Sequence, residues 1–156
     1  KKAMELIEKA SGGGGRSSGV AISGLSFPPH AAHVEPSFYE YFVLRGVKVE
    51  QSQPGFISCS FKVPPRLTDD DGSLAAGAIA SMIDEIGSAV IHQNDRPMEV
   101  SVDMSISYVS SAKANDELEI SSRRLGRVGG YYGTSVLIRN KTTGQIVAEG
   151  RHSLFA

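Results

Sequence analysis

The chain has 156 residues, 40% of them hydrophobic and 21% charged, with a formal net charge of −1. That length suffices for one domain that buries its own core without disulfide or metal staples, and the near-neutral charge argues against a nucleic-acid partner, which calls for a basic excess on one face. Cys59 is the single cysteine and the four histidines are scattered, so no internal disulfide, no zinc cage and no other metal site is expected.

Lys1 to Ala10 is predicted as a short helix with Ala3, Met4, Leu6, Ile7 and Ala10 on its apolar side. Its charged positions interrupt any signal-peptide core. A chain that begins at Lys1 is expected to have lost its native start, so a removed targeting segment stays open. A cytoplasmic place is expected, with an organellar one as the alternative. Ser11 to Gly19 is a Gly/Ser run that cannot bury enough surface to offset its ordering entropy. Apolar residues return at Val20 to Phe27, and Pro28-Pro29 closes them. Residues 1–35 thus read as an N-terminal helix and flexible arm, and residues 36–156 as the folded domain.

Within that domain, Ser37 to Phe42 suggests a short aromatic helix starting at Ser37 or Pro36. Val47 and Val49 alternate with Lys48 and Glu50, and Ile57, Cys59, Phe61 and Val63 alternate with Ser58, Ser60 and Lys62. With Gln53-Pro54-Gly55 between them, these runs predict a hairpin. Leu74 to Ile91 is small or apolar nearly all round, with Asp84 and Glu85 its only charges. Such a helix is buried, and a central acid pair would be costly in lipid, so a protein core is expected around it. Val100, Val102, Met104, Ile106 and Tyr108 then alternate with Ser101, Asp103, Ser105 and Ser107 as a strand. Leu118 to about Leu125 gives the next, Gly126 to Gly130 a turn, and Tyr132, Thr134, Val136 and Ile138 a third. Lys141 to Gly144 is a hairpin loop before a last strand over Gln145 to Phe155. A hairpin, one buried helix and an antiparallel meander make an α+β fold, a single sheet wrapped around one long central helix.

The helix start has a chemical consequence. Its unpaired N–H groups and positive dipole end suit an anion or a developing oxyanion. Ser73 or Asp71 is the expected cap, and the small residues after it leave the amides of Ala76 and Gly77 approachable. Asp84 follows about two turns beyond Gly77 on a similar face. Hydrolysis of a thioester needs both parts, donors for the carbonyl oxygen and a carboxylate that activates water or attacks. Singly, an Asp in a helix is more often a solvated residue than a catalyst, and an acidic run before a helix is usually a cap.

The run Leu67-Thr68-Asp69-Asp70-Asp71-Gly72-Ser73-Leu74-Ala75-Ala76-Gly77-Ala78-Ile79-Ala80-Ser81-Met82-Ile83-Asp84-Glu85 resembles the PaaI-like hotdog-fold acyl-CoA thioesterases. So do Val100 to Tyr108, the Ser-Ala-Lys turn at Ser111 to Lys113, and Gly150-Arg151-His152. The likeness covers about Pro36 to Phe155. It implies a hotdog dimer, usually paired into a homotetramer, that hydrolyses acyl-CoA between subunits without a metal or cofactor. Asp84 would be base or nucleophile, Asp69 would help place the thioester or water, and Ala76-Gly77 would offer the backbone N–H. Ser101 would position the attacking water. Two departures stand out: Ala75-Ala76-Gly77 where the family commonly has His-Gly-Gly, and Asp69 where it often has Asn. A hotdog that binds an acyl ligand without turnover is therefore the alternative, and a purely structural oligomer a third reading.

Coenzyme A brings phosphates, for which Arg123, Arg124, Arg127, Arg151 and Lys113 are the candidate partners, although any one of them is more often a solvated strand-edge charge. Gly126 to Gly133 lacks a Gly-Lys-Ser/Thr ending and reads as a turn rather than a phosphate loop. His30, His33, His92 and His152 are expected in loops or at the surface. Cys59 is expected in the core.

Overall fold

The computed structural model describes residues 37–91 and 99–155. The N-terminal helix and the Gly/Ser arm fall outside them. Helix α1 (Phe38–Leu44) starts as its sequence asks, with a capping box in which the Ser37 hydroxyl accepts the Glu40 N–H and the Glu40 carboxylate accepts the Ser37 N–H. Strands β1 (Lys48–Gln53) and β2 (Phe56–Lys62) form the hairpin, turning at Gly55 with φ +79°. A 3₁₀ turn (Pro65–Leu67) and a loop lead to α2 (Ala76–Ala89). Then come β3 (Val100–Tyr108), β4 (Glu117–Val128), β5 (Tyr131–Asn140) and β6 (Ile146–Phe155).

All neighbouring strands are antiparallel, in the order β1-β2-β4-β5-β6-β3. The sheet wraps α2, whose Ala78, Ile79, Met82, Ile83 and Ile86 are buried against it. This is the hotdog arrangement. Close approach of helix and sheet requires a glycine in β6, because a β-carbon on Gly150 would lie 2.5 Å from Ile83 Cγ2. No helix among the described residues is long and apolar enough to cross a membrane.

Four details differ from the sequence reading. Strand β4 continues to Val128, and the chain turns only at Gly129-Gly130, so Gly126 lies inside a strand beside an irregularity in register. Helix α2 begins at Ala76 rather than Leu74, because Ser73 and Leu74 are engaged in bridges to Lys113 and Thr68. Ser58 and Ser60, on the expected wet face of β2, are buried; their hydroxyls bond Glu119 and Glu50 of the flanking strands. Conversely, β3 leaves much of its apolar surface open: Val100 is 65% exposed, Val102 55% and Tyr108 52%, while a register shift between Ser101 and Asp103 interrupts the alternation and Ile106 packs against the core. That strand stands at the sheet edge, paired on one side only.

Candidate active site

Two groups of functional atoms lie on α2, at its start and two turns on. The residue before the first turn is Ala75, in extended conformation and with no side chain able to cap. The expected caps are displaced: Ser73 Oγ takes the Lys113 Nζ at 2.7 Å, and Asp71 offers its carbonyl to the same amine at 3.2 Å. The N–H groups of Ala78 and Ile79 close on the Ala75 carbonyl. Those of Ala76 and Gly77 have no acceptor among the described residues. A helix of 14 residues is thus left with two open donors at its positive end.

The two residues line two clefts at the helix start. Gly77 lines one of about 470 Å³ whose walls include Phe42 and Val43 of α1, Leu67, Ala78 and Arg66. A β-carbon built on Gly77 would meet nothing within 4 Å, so the residue borders open space. Ala76 lines another of about 380 Å³ with Asp69, Ser73 and Tyr108. Tyr108 holds this cleft to the helix by donating its hydroxyl to the Ala76 carbonyl at 3.3 Å. Asp69 is exposed, and its Oδ1 accepts the N–H groups of Asp71 and Ser73, which shapes the loop.

Asp84 projects toward the start of β3 and the end of β6. Its Oδ1 accepts the Ser101 hydroxyl at 2.8 Å and lies 3.2 Å from His152 Nε2. The imidazole Nε2 is also 3.0 Å from Ser101 Oγ, closing a triangle of three side chains. His152 is fully buried, and its Nδ1 has no partner among the described residues. Burial lowers the His152 pKa, against the opposing pull of the Asp84 and Asp103 charges. The neutral ring therefore carries its proton on Nε2, the only nitrogen with acceptors in reach. Oδ2 of Asp84 has no partner among the described residues, and the side chain is 40% exposed. One carboxylate oxygen is thus fixed by two donors and the other is presented to solvent.

His152 corrects the expectation of a loop or surface histidine. Ala148, Gly150, His152 and Leu154 alternate as the buried face of β6 with exposed Glu149 and Arg151 between them. That period of two was present in the sequence and could have placed the ring inside. The next residue of the helix, Glu85, has its carboxyl pushed up to about 7, chiefly by burial and then by the negative charges of Glu40 and Asp84.

Asp84 and Ser101 therefore meet, whereas Asp69, Ala76 and Gly77 gather at the other end of the helix. Gly77 and Asp84 are seven residues apart, or about 10 Å along the axis. The arginines sit apart from both groups. Arg123 stacks on Phe56 at 4.5 Å, and Arg127 lies 5.0 Å from the Tyr132 ring centre and donates to the Gly129 carbonyl. Arg124 lies beside Gly55, and Arg151 pairs with Glu149 at 3.4 Å. Cys59 is buried, with its thiol pushed up to about 12 by burial and by Glu50, which leaves it inert. No group of three or more His, Cys, Asp and Glu side chains among the described residues is arranged to hold a metal ion.

Residues 71–137 match the family model described as the thioesterase superfamily. The human acyl-coenzyme A thioesterase 13 is 34% identical over 112 residues, 71% of this chain and 80% of that protein. The crystal structure of zebrafish thioesterase superfamily member 2 superposes with a TM-score of 0.71 at 30% identity, covering 78% of this chain and 88% of the other. For thioesterase superfamily member 2 from Mus musculus the TM-score is 0.67 at 34% identity, over 72% and 84% of the two chains. The chain belongs to the thioesterase superfamily and is a hotdog-fold thioester hydrolase.

Proposed function

We propose that the protein hydrolyses an acyl-CoA to the free acid and coenzyme A, at a site shared between two copies of the chain. The observation that carries this reading is the polarised Asp84 carboxylate, with Oδ1 held by Ser101 and His152 and Oδ2 unoccupied. A water on Oδ2 gives a proton to Asp84 as its oxygen attacks the thioester carbonyl carbon. The carbonyl oxygen becomes an oxyanion and is met by the open N–H groups of Gly77 and Ala76. Collapse breaks the C–S bond, and the proton on Asp84 passes to the departing thiolate. The sum is water plus thioester giving acid plus thiol. Asp69 positions the thioester from the loop before the helix, and Ser101 orients the water through its remaining lone pair.

The spacing along the helix supports a second copy. Reacting atoms must come within about 3–3.5 Å, whereas Gly77 and Asp84 of one chain are about 10 Å apart along the helix. An Asp84 facing the helix start of a neighbouring copy resolves this, and the open apolar edge of β3, where Ser101 sits, is the surface such a copy would cover. The phosphates of coenzyme A fall to the exposed Arg123, Arg124 and Arg127, with Arg151 already committed to Glu149.

Thiol release from a panel of acyl-CoAs tests the chemistry: Asp84→Ala should lower kcat by a factor on the order of a hundred or more with folding intact. Sharing of the site is tested by complementation. Gly77→Pro deletes the amide within the first turn, where no intrahelical hydrogen bond is lost. Mixed and reassembled with Asp84→Ala, it should restore turnover through one intact composite site per mixed dimer. A mixture as inactive as its two parents would place the whole site in one chain.

A further inference from the structure

Arg66 lies in the 3₁₀ turn Pro65–Leu67 and forms part of the wall of the cleft that Gly77 opens into. Its Nε donates to the Phe42 carbonyl at 3.0 Å and its Nη2 to the Arg45 carbonyl, which ties the turn to the end of α1. The remaining donors of the guanidinium fork have no partner among the described residues, and no Asp or Glu among them lies within 4 Å. Its charged neighbour is another cation, Arg45, which together with the larger effect of burial brings the guanidinium down to about 10. Around it the cleft is apolar, with Phe42, Val43, Leu67 and Ala78. The nearby acids do not offset the charge: Glu40 belongs to the first turn of α1, at the opposite end from Arg66, and neither it nor Glu85 lines the cleft. A half-buried cation without a counter-ion among the described residues, in an apolar cleft that Gly77 also lines, is an incomplete charge pair.

We infer that this cleft takes an acyl chain ending in a carboxylate, an ω-carboxyacyl group, with its thioester carbonyl at Gly77 and its far carboxylate on Arg66. A plain alkyl chain of the same length would fill the apolar walls but leave the guanidinium still further from water and unpaired. A terminal carboxylate satisfies the free fork with two charge-assisted hydrogen bonds. The inference rests on the assignment of the Gly77 amide to the thioester carbonyl. From that carbonyl the substrate continues in two directions, so the anion that Arg66 receives has two possible sources, the end of the acyl chain and the phosphates of coenzyme A.

The test compares kcat/KM of the wild-type enzyme for a series of ω-carboxyacyl-CoAs with alkanoyl-CoAs of equal chain length. At the length that spans the cleft, the carboxylate form should be used roughly tenfold better. Arg66→Gln should abolish that preference while leaving the alkanoyl series within a few-fold, and Arg66→Lys should keep part of it. Because Arg66 also anchors α1, the wild-type comparison decides the matter if the variants do not fold. Turnover of both series without preference at any length overturns the inference and leaves the hydrolase reading intact. An equal loss on both series in Arg66→Gln, with weaker inhibition by free coenzyme A, overturns it in favour of the phosphates. Failure of the wild type to hydrolyse either series overturns instead the assignment of the Gly77 and Asp84 site itself.

Discussion

Gly87 and His152 meet in a contact tighter than most β-carbons make: one on Gly87 would lie 3.0 Å from His152 Nδ1, and 3.3 Å from both Thr134 Oγ1 and Val136 Cγ2, so a neighbour would have to give way. The helix thus presses on one nitrogen of the ring and leaves the other to Asp84 and Ser101. Gly87→Ala would gain up to about 1 kcal/mol of helix propensity but displace the imidazole. We expect stability to change by no more than about 1 kcal/mol while kcat falls about tenfold. Denaturant melts beside steady-state kinetics check this; an unaltered kcat would mean that the helix does not hold the ring in place.

Protonation of His152 would put a proton on Nδ1, where nothing accepts it. The folded-state pKa is lowered from 6.5, so the unfolded chain binds more protons in the window just below that value. The contribution of the neutral ring to stability is complete above about pH 6.5 and is lost as the pH falls toward the folded-state value. His152→Gln should flatten the decline in unfolding free energy between pH 7 and pH 5. A decline as steep as that of the wild type would assign it to other groups.

Glu85 behaves in the opposite sense. Its carboxyl is raised from 4.5 to about 7 in the folded chain, so folding favours the protonated form. Its stabilising effect is complete below about pH 4.5, fades as the pH rises to about 7, and is absent above. Glu85→Gln should therefore stabilise the protein at pH 8, by on the order of 1–2 kcal/mol once partial exposure is discounted. At pH 4.5 it should have little effect. A shift of equal size at both pH values would rule out titration of this carboxyl as the cause.

Val102 is 55% exposed in the middle of the β3 edge. If a second copy covers that edge, Val102→Glu should split the assembly, measured by sedimentation, and lower activity at least tenfold while each chain keeps its circular dichroism spectrum. Full activity in a monomeric Val102→Glu protein would remove the need for a partner.

Much of the fold was legible because its signals are local. The period-two runs of β2 and β5 and the nearly uncharged α2 each declare their class within ten to fifteen residues, and one sheet around one apolar helix follows from them. Asp84 stood out for the same reason, as an acid in an apolar helix, and its meeting with Ser101 is what the structure adds. The rest depends on contacts distant in sequence. His152 gains its role only because β6 lies beside β3 and beneath α2, bringing Ser101 and Asp84 to a ring 51 and 68 residues away. Ser73 and Asp71 have the right side chains to cap a helix, but a bridge to Lys113 pins the backbone two residues short of its start. The apolar alternation of β3 was readable; that its register shifts between Ser101 and Asp103, and that Ile106 packs against the core while Val100, Val102 and Tyr108 stay exposed at an edge, was not, since alternation marks a face without saying what covers it.

Ala75, the bare residue ahead of α2, sets stability and turnover against each other. Serine, aspartate or asparagine there would strengthen the fold by about 1 kcal/mol through a side-chain oxygen on the amides of the first turn. If the Ala76 and Gly77 amides hold the thioester oxygen as proposed, that cap would occupy its place. A library randomised at residue 75 and sorted for heat resistance would enrich such caps, and sorted for hydrolysis would reject them. Thermostabilisation of this enzyme, or consensus design that ranks helix starts by capping preference, would have to leave this one residue alone.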